Sequence, residues 1–132
     1  MITLVDTSAW IEYLRGTGSE VDEQVRALLA AEELMATTDI VYLELLAGAR
    51  SDGHAAELER LLNRCMFHPV RPLFDYADAA RIYRTCRGRG FTLRAMADCL
   101  VAAIAIDRGC AVLHHDRDFH RIADCTGLVV AG

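Results

Sequence analysis

The chain contains no lysine; all 14 of its basic residues are arginines. A P-loop is thereby excluded, because its lysine reaches the phosphates. Receiver domains and phosphoryl-aspartate enzymes fall on the same ground: they also place an acid after the first strand of a parallel sheet, but they depend on a lysine beside the phosphoryl group. Proline is scarce too. Pro69 and Pro72 lie close together, and no repeat, low-complexity tract or Pro/Ser-rich linker divides the 132 residues, so one domain over 1–132 is expected. The five cysteines, Cys65, Cys86, Cys99, Cys110 and Cys125, form no C-x-x-C pair able to hold zinc or cycle a disulfide, and read as buried small hydrophobes. The longest apolar run, Leu100 to Ile106, falls far short of the ~20 residues of a membrane-spanning helix. Met1 to Asp6 lacks the leader and cleavage site of a signal peptide, so the expected location is the cytoplasm.

A net charge of −5 argues against a protein that coats nucleic acid by bulk electrostatics. The distribution matters more than the total. Setting Asp6, Glu44, Asp98, Asp116 and Asp118 aside from the 19 acids leaves 14 against 14 arginines, so the deficit is concentrated in these few residues.

Short apolar runs alternate with helical periodicity along the chain. Strands are expected at Ile2 to Val5, Leu34 to Thr37, Met66 to Val70, Cys110 to Leu113 and Leu128 to Val130. Thr7 and Ser8 are candidate caps for a helix carrying Trp10, Ile11 and Leu14, and a second helix spans Glu20 to Glu33. Asp39 is a candidate cap for a helix through Ala49. Further helices are expected at Ala55 to Arg64, Ala77 to Arg87, Ala95 to Arg108 closed by Gly109, and Phe119 to Asp124. The alternation predicts an α/β fold: a three-layer α/β/α arrangement around a parallel sheet of about four to five strands, wound by right-handed crossovers.

In such a sheet, ligands bind beyond the carboxyl ends of the strands. Asp6 follows the first strand directly, and Asp116 follows the Cys110 to Leu113 strand after His114 and His115. Two more acids sit where a helix ought to be apolar. Asp98 is the charged residue in the opening of an otherwise apolar Ala95 to Ile106, and Glu44, flanked by Leu43 and Leu45, is expected to point inward. A buried carboxylate without a partner is costly unless something positive holds it ionised. Converging carboxylates suit Mg²⁺ or Mn²⁺, which prefer oxygen ligands and often share them with a substrate phosphate.

Structural readings stand beside these. Asp6 alone could cap a helix, Asp98 could serve the helix dipole, and Glu44 could pair with Arg50 or Arg94. His114, His115 and His120 around Asp116 and Asp118 raise a zinc or HD-type site, but His54 and His68 do not supply the further helical histidine, and the histidines read as surface residues.

Four blocks taken together resemble the signature of VapC-type PIN domains: Val5-Asp6-Thr7-Ser8-Ala9-Trp10-Ile11-Glu12, Glu44 before Leu46-Ala47-Gly48-Ala49-Arg50, Ala97-Asp98-Cys99-Leu100-Val101-Ala102-Ala103, and His115-Asp116-Arg117-Asp118-Phe119. The resemblance implies an endoribonuclease with Asp6, Glu44, Asp98 and Asp116 as its acids. Asp6, Asp98 and Asp116 would bind the metal, Asp118 would sit in the same cluster, and Ser8 would orient Asp6. It also implies an RNA substrate, a VapB-type antitoxin and a homodimer, whose face is expected around Trp10, Leu14 and the Asp39 to Ala49 helix. Arg84, Arg87, Arg89 and Arg94, set around Gly88 and Gly90, are the candidate RNA contacts. The alternative is a catalytically idle PIN scaffold that binds RNA or a protein partner.

Overall fold

An apolar, β-branched run such as Ile2 to Val5 is stable only with both faces covered. In the computed structural model, which describes residues 1–131 and so leaves Gly132 outside, this run is β1 (Thr3–Val5) in the interior of a sheet. Its companions are β2 (Met35–Thr38), β3 (Met66–His68) and β4 (Ala111–Leu113). The order is β3-β2-β1-β4, and every pair is parallel. Thr3 pairs with Met35 on one side and Ala111 on the other, and Val5 ends level with Leu113. Leu128 to Val130, expected as a strand, contributes a single parallel bridge between Val112 and Val130.

Among the described residues, seven helices cover the sheet and complete the three-layer α/β/α arrangement: α1 (Thr7–Arg15), α2 (Glu20–Ala30), α3 (Asp39–Ala47), α4 (Asp52–Leu62), α5 (Phe74–Gly88), α6 (Met96–Arg108) and α7 (Asp118–Cys125). α1 packs on α2 and α3, and α3 on α4, while α5, α6 and α7 pack on one another. The sequence-based limits hold best for α6, which ends at Gly109 in the left-handed region (φ 69°) that glycine adopts without strain. Its residues from Asp98 to Ala105 are all buried.

Several boundaries shift for local reasons. Asp6, not Thr7 or Ser8, caps α1, since its side chain accepts the Ser8 N–H. Thr38 occupies the cap position of α3, while the Asp39 carboxylate accepts the Val70 N–H at 2.7 Å. Ser51 caps α4 and starts it at Asp52, earlier than the apolar stripe shows. Trp10, expected at a subunit face, is fully buried in the core with Leu4, Val5 and Phe119. Cys86, Cys99 and Cys110 are buried as expected, whereas Cys65 and Cys125 are half-buried.

The early start of α5 has an electrostatic cause. Asp75 is wholly buried, and Arg108 at the end of α6 grips both of its oxygens at 2.8 and 2.9 Å. Its Oδ2 also accepts the Arg71 N–H at 2.7 Å, and the same Arg108 reaches the Pro69 carbonyl at 2.9 Å. The chain is thus pinned from Pro69 onward. The Arg108 hydrogen bonds outweigh burial and hold the Asp75 carboxyl below the usual carboxylate range. Its stabilising contribution is therefore present at neutral pH, and is lost as pH falls through the ordinary carboxylate range and on through the depressed folded value. Removing one member of a buried pair leaves the other uncompensated, so Asp75→Asn should cost about 3 kcal/mol in urea unfolding at pH 7. A loss below about 1 kcal/mol would reduce the pair to an ordinary surface contact.

Candidate active site

The chain runs from β1 to β2 on one side, and β4 flanks β1 on the other, so the carboxyl ends of β1 and β4 border the crevice of the sheet's switch point. Asp6 leaves β1 there, and its backbone N–H donates to the Leu113 carbonyl at 2.9 Å. Its Oδ2 accepts both the Ser8 N–H at 3.0 Å and the Ser8 hydroxyl at 2.6 Å. The Ser8 oxygen in turn accepts the His115 N–H at 2.9 Å, so one serine ties the loop after β4 to the first aspartate. Burial pushes the Asp6 carboxyl upward, the Ser8 hydrogen bonds oppose this, and the charge of Glu44 adds to it.

Asp98 enters from α6. The helix is buried from this residue through Ala105, so its opening turn carries the carboxylate into the crevice. Asp98 Oδ2 is buried and meets no hydrogen-bond partner. Burial, then the charges of Asp6, Asp116, Asp118 and Glu44, push this carboxyl up to about 7.

Asp116 and Asp118 arrive on the loop between β4 and α7. Asp116 Oδ1 accepts the Asp118 N–H at 3.0 Å and Arg94 Nη2 at 2.7 Å. Asp118 is wholly buried, and its Oδ2 accepts the Arg94 backbone N–H at 3.1 Å and Nε at 3.3 Å. Burial pushes the Asp118 carboxyl up, but the Arg94 hydrogen bonds and the charges of Arg94 and Arg121 win and hold it below its usual value. One oxygen from each of Asp98, Asp116 and Asp118 lies within 4.8 Å of the others. Hard carboxylate oxygens gathered at a point, one of them orphaned, form a donor set that fits Mg²⁺ or Mn²⁺.

The residues singled out from sequence divide accordingly. Asp98, Asp116 and Asp118 meet, while Asp6 and Glu44 face the same charge cluster from outside this tightest group. Glu44 does not point inward. Val41 and Leu45 take the core side of α3, leaving Glu44 exposed, where its Oε1 accepts the Thr7 hydroxyl at 2.8 Å. Neither Arg50 nor Arg94 pairs with it among the described residues; Arg94 goes to Asp116 and Asp118.

The other candidate arginines divide as well. Arg84 and Arg87 lie on α5, in the helix expected over Ala77 to Arg87, and line a groove of about 530 Å³ that reaches Met96 and Ala97. Arg89 turns instead to the Asp124 carbonyl at the end of α7, at 3.2 Å. His114 is not a surface residue. It is buried against Phe119 and His120, its Nδ1 accepts the Asp116 N–H at 3.1 Å, and burial lowers its pKa to about 4. No histidine joins the cluster of metal-ligating groups among the described residues. Sequence reasoning missed the role of Thr7, whose signal was its place between Asp6 and Ser8, and misplaced His114, which continues the fully buried run of β4.

An acidic crevice at this switch point is the hallmark of a nuclease class, and the chain belongs to the PIN-domain family, whose model matches residues 3–124. Within that family it is 43% identical over 129 residues to ribonuclease VapC11 of Mycobacterium tuberculosis, covering 97% of this chain and 96% of the relative. The fold is shared with VapBC2 from Rickettsia felis bound to a DNA fragment from their promoter, at TM-score 0.75 and 16% identity over 99% of this chain and 98% of that one. It is shared too with VapC20 of Mycobacterium tuberculosis, described as a sarcin-ricin loop cleaving toxin, at TM-score 0.61 and 20% identity over 89% of this chain and 92% of that one.

A carboxyl raised to about 7 by burial and like charge opposes folding once ionised. Its folded form holds a proton that the unfolded chain releases near pH 4. The metal-free protein should therefore lose stability from this group as pH rises from about 4 through 7. Asp98→Asn should remove that dependence and stabilise the metal-free chain at pH 8 by about 1–2 kcal/mol, measured by thermal unfolding in chelator. A mutant less stable than wild type at pH 8 would show that the ionised carboxylate has a partner.

Proposed function

We propose that the chain is a VapC-type endoribonuclease toxin, acting as one PIN domain in the cytoplasm, that cuts specific single-stranded sites in RNA and so inhibits translation. The observation that carries the reading is the orphaned, buried oxygen of Asp98 beside Asp116 and Asp118 at the sheet's switch point. The ribonuclease name of its 43% identical relative supports the reaction class.

Asp6, Asp98 and Asp116 would hold Mg²⁺ or Mn²⁺, with Asp118 supporting them. The ion would supply an activated water and stabilise charge on the scissile phosphate. Ser8 fixes the orientation of Asp6 through its two contacts. Glu44, exposed and hydrogen-bonded by the Thr7 hydroxyl beside Asp6, would take a proton from water there. No protein nucleophile is required, and the products would carry 5′-phosphate and 3′-hydroxyl ends.

A balanced surface with net charge −5 cannot hold RNA tightly by counterion release alone. Affinity would come from shape, and a tRNA or rRNA loop can bend its backbone into the crevice where a stiff duplex cannot. Of the candidate arginines, Arg94 stands at the crevice with Asp116 and Asp118, whereas Arg84 and Arg87 line the groove that reaches Met96. A VapB-type antitoxin would neutralise the site by setting a basic side chain against the acids. A groove lined by Ile11, Leu14, Leu45 and Leu58 opens next to Glu44 and would seat its apolar residues.

A homodimer would keep α3 from the expected face but not Trp10. Tyr76 and Met96 are 54% and 68% exposed on the groove shared by α3, α5 and α6, whereas Trp10 is 0% exposed. Light scattering at micromolar concentration should give about twice 14.6 kDa, and a mass near 14.6 kDa would contradict the dimer.

The function is tested by expressing the protein and mapping new 5′-phosphate ends across total RNA, alongside Asp6→Ala. A few discrete cuts that vanish in the variant are expected. Uniform degradation would mean a non-specific nuclease, and no cleavage with any divalent ion would favour the idle scaffold.

A further inference from the structure

Arg94 stands inside the carboxylate cluster, although sequence position alone makes it one of four candidate RNA contacts. It lies in the segment between α5 and α6, next to the buried Leu93. Its three contacts differ in kind. The backbone N–H and Nε both go to Asp118 Oδ2, at 3.1 and 3.3 Å, and Asp118 is wholly buried with Arg121 Nη1 at 3.5 Å on its other oxygen. Nη2 goes to Asp116 Oδ1 at 2.7 Å, and the Asp116 side chain is 26% exposed. The Arg94 side chain is itself 60% exposed. The Asp118 contacts are therefore an anchor, and the Asp116 contact is the one that solvent and a second cation can reach.

Asp116 also shares the cluster with Asp98, whose Oδ2 has no hydrogen-bond partner. A divalent ion held by these carboxylates would draw on the charge that Arg94 already neutralises, and the two cations would repel within a few ångströms. Resting on the metal-site reading above, we propose that Arg94 is a built-in competitor of the divalent ion. It pairs with Asp116 while the crevice is metal-free and yields that carboxylate when the ion binds, swinging on its Asp118 anchor. The device keeps clustered acids tolerable in the metal-free chain at a cost in ion affinity.

The opposite role is scaffolding, in which Arg94 fixes Asp116 in a ligating pose and its loss weakens binding. Mn²⁺ titration of the full chain by calorimetry separates the two, using wild type, Arg94→Gln, Arg94→Lys and Asp98→Asn. An exposed charge pair is worth little, so Arg94→Gln should tighten Mn²⁺ binding by about two- to fivefold. It should also lower the metal-free melting temperature and enlarge the rise caused by Mn²⁺. Arg94→Lys keeps the charge but loses the fork that spans both aspartates, so its affinity should fall between the two; it decides the matter if the glutamine variant fails to fold. Binding by Arg94→Gln that is equal to or weaker than wild type, with Asp98→Asn still abolishing it, overturns the competition and leaves the metal site standing. Absence of Mn²⁺ binding by wild type and Arg94→Gln alike overturns both.

Discussion

The mutual repulsion of carboxylates brought together by the sheet governs this molecule. β1 and β4 end level with each other, and their loops carry Asp6, Asp116 and Asp118 to one place. α6 adds Asp98 because the helix is buried from that residue through Ala105. Asp6 and Asp98 cannot turn to solvent without undoing a strand end or the opening turn of a core helix, and Asp118 is wholly buried. Burial in low dielectric penalises each charge, and each neighbour adds to the penalty. The cluster therefore calls for a cation, and the arrangement of its hydrogen bonds shows how far the chain meets that demand itself. Ser8 serves Asp6, arginine serves Asp116 and Asp118, and Asp98 Oδ2 is left without a partner.

The same chain buries an aspartate at the other end of α6 with the opposite outcome. Ten residues beyond Asp98, or about 15 Å along the helix, Arg108 grips both oxygens of Asp75. There the carboxyl is held below its usual range, whereas Asp98 is pushed up to about 7. Asp118 falls between them, fully buried like Asp75 but held partly by an arginine that also serves Asp116. A buried acid whose two oxygens are gripped by one arginine fastens the fold, whereas Asp98 has no arginine partner among the described residues and is left open to a cation from outside. Hydrogen-bond partners separate these carboxylates more sharply than burial, which all three share.

The parallel sheet was legible because its strands are short apolar runs separated by helical periodicity, and a strand buried on both faces has no other reading. Asp98 was legible for a related reason: a charge at the opening of an apolar helix has no structural motive of its own beyond the dipole. Glu44 was misread inward because Leu43 and Leu45 flank it, yet a helix turns 100° per residue and Leu43 is itself 62% exposed. The last strand shrank to one bridge, since a three-residue run is stabilised only by the pairing it finds. The resemblance puts Trp10 at a subunit face, but α1 packs against α2 and α3 and Trp10 is fully buried in the core of the single chain. The partner of Arg94 was illegible, because the 22 and 24 residues separating it from Asp116 and Asp118 are bridged only by the folded chain.

The central claim is that Asp98 is a buried carboxylate held without a cation of its own. It is tested most directly by ¹³C NMR titration of the Asp98 carboxyl, in chelator and at saturating Mg²⁺. In chelator the inflection is expected near pH 7, and Mg²⁺ should move it well down into the acid range, because an ion on the carboxylate opposes the proton. An inflection near pH 4 under both conditions would contradict the account, for it would mean that the carboxylate is neither strained by its neighbours nor engaged by the metal.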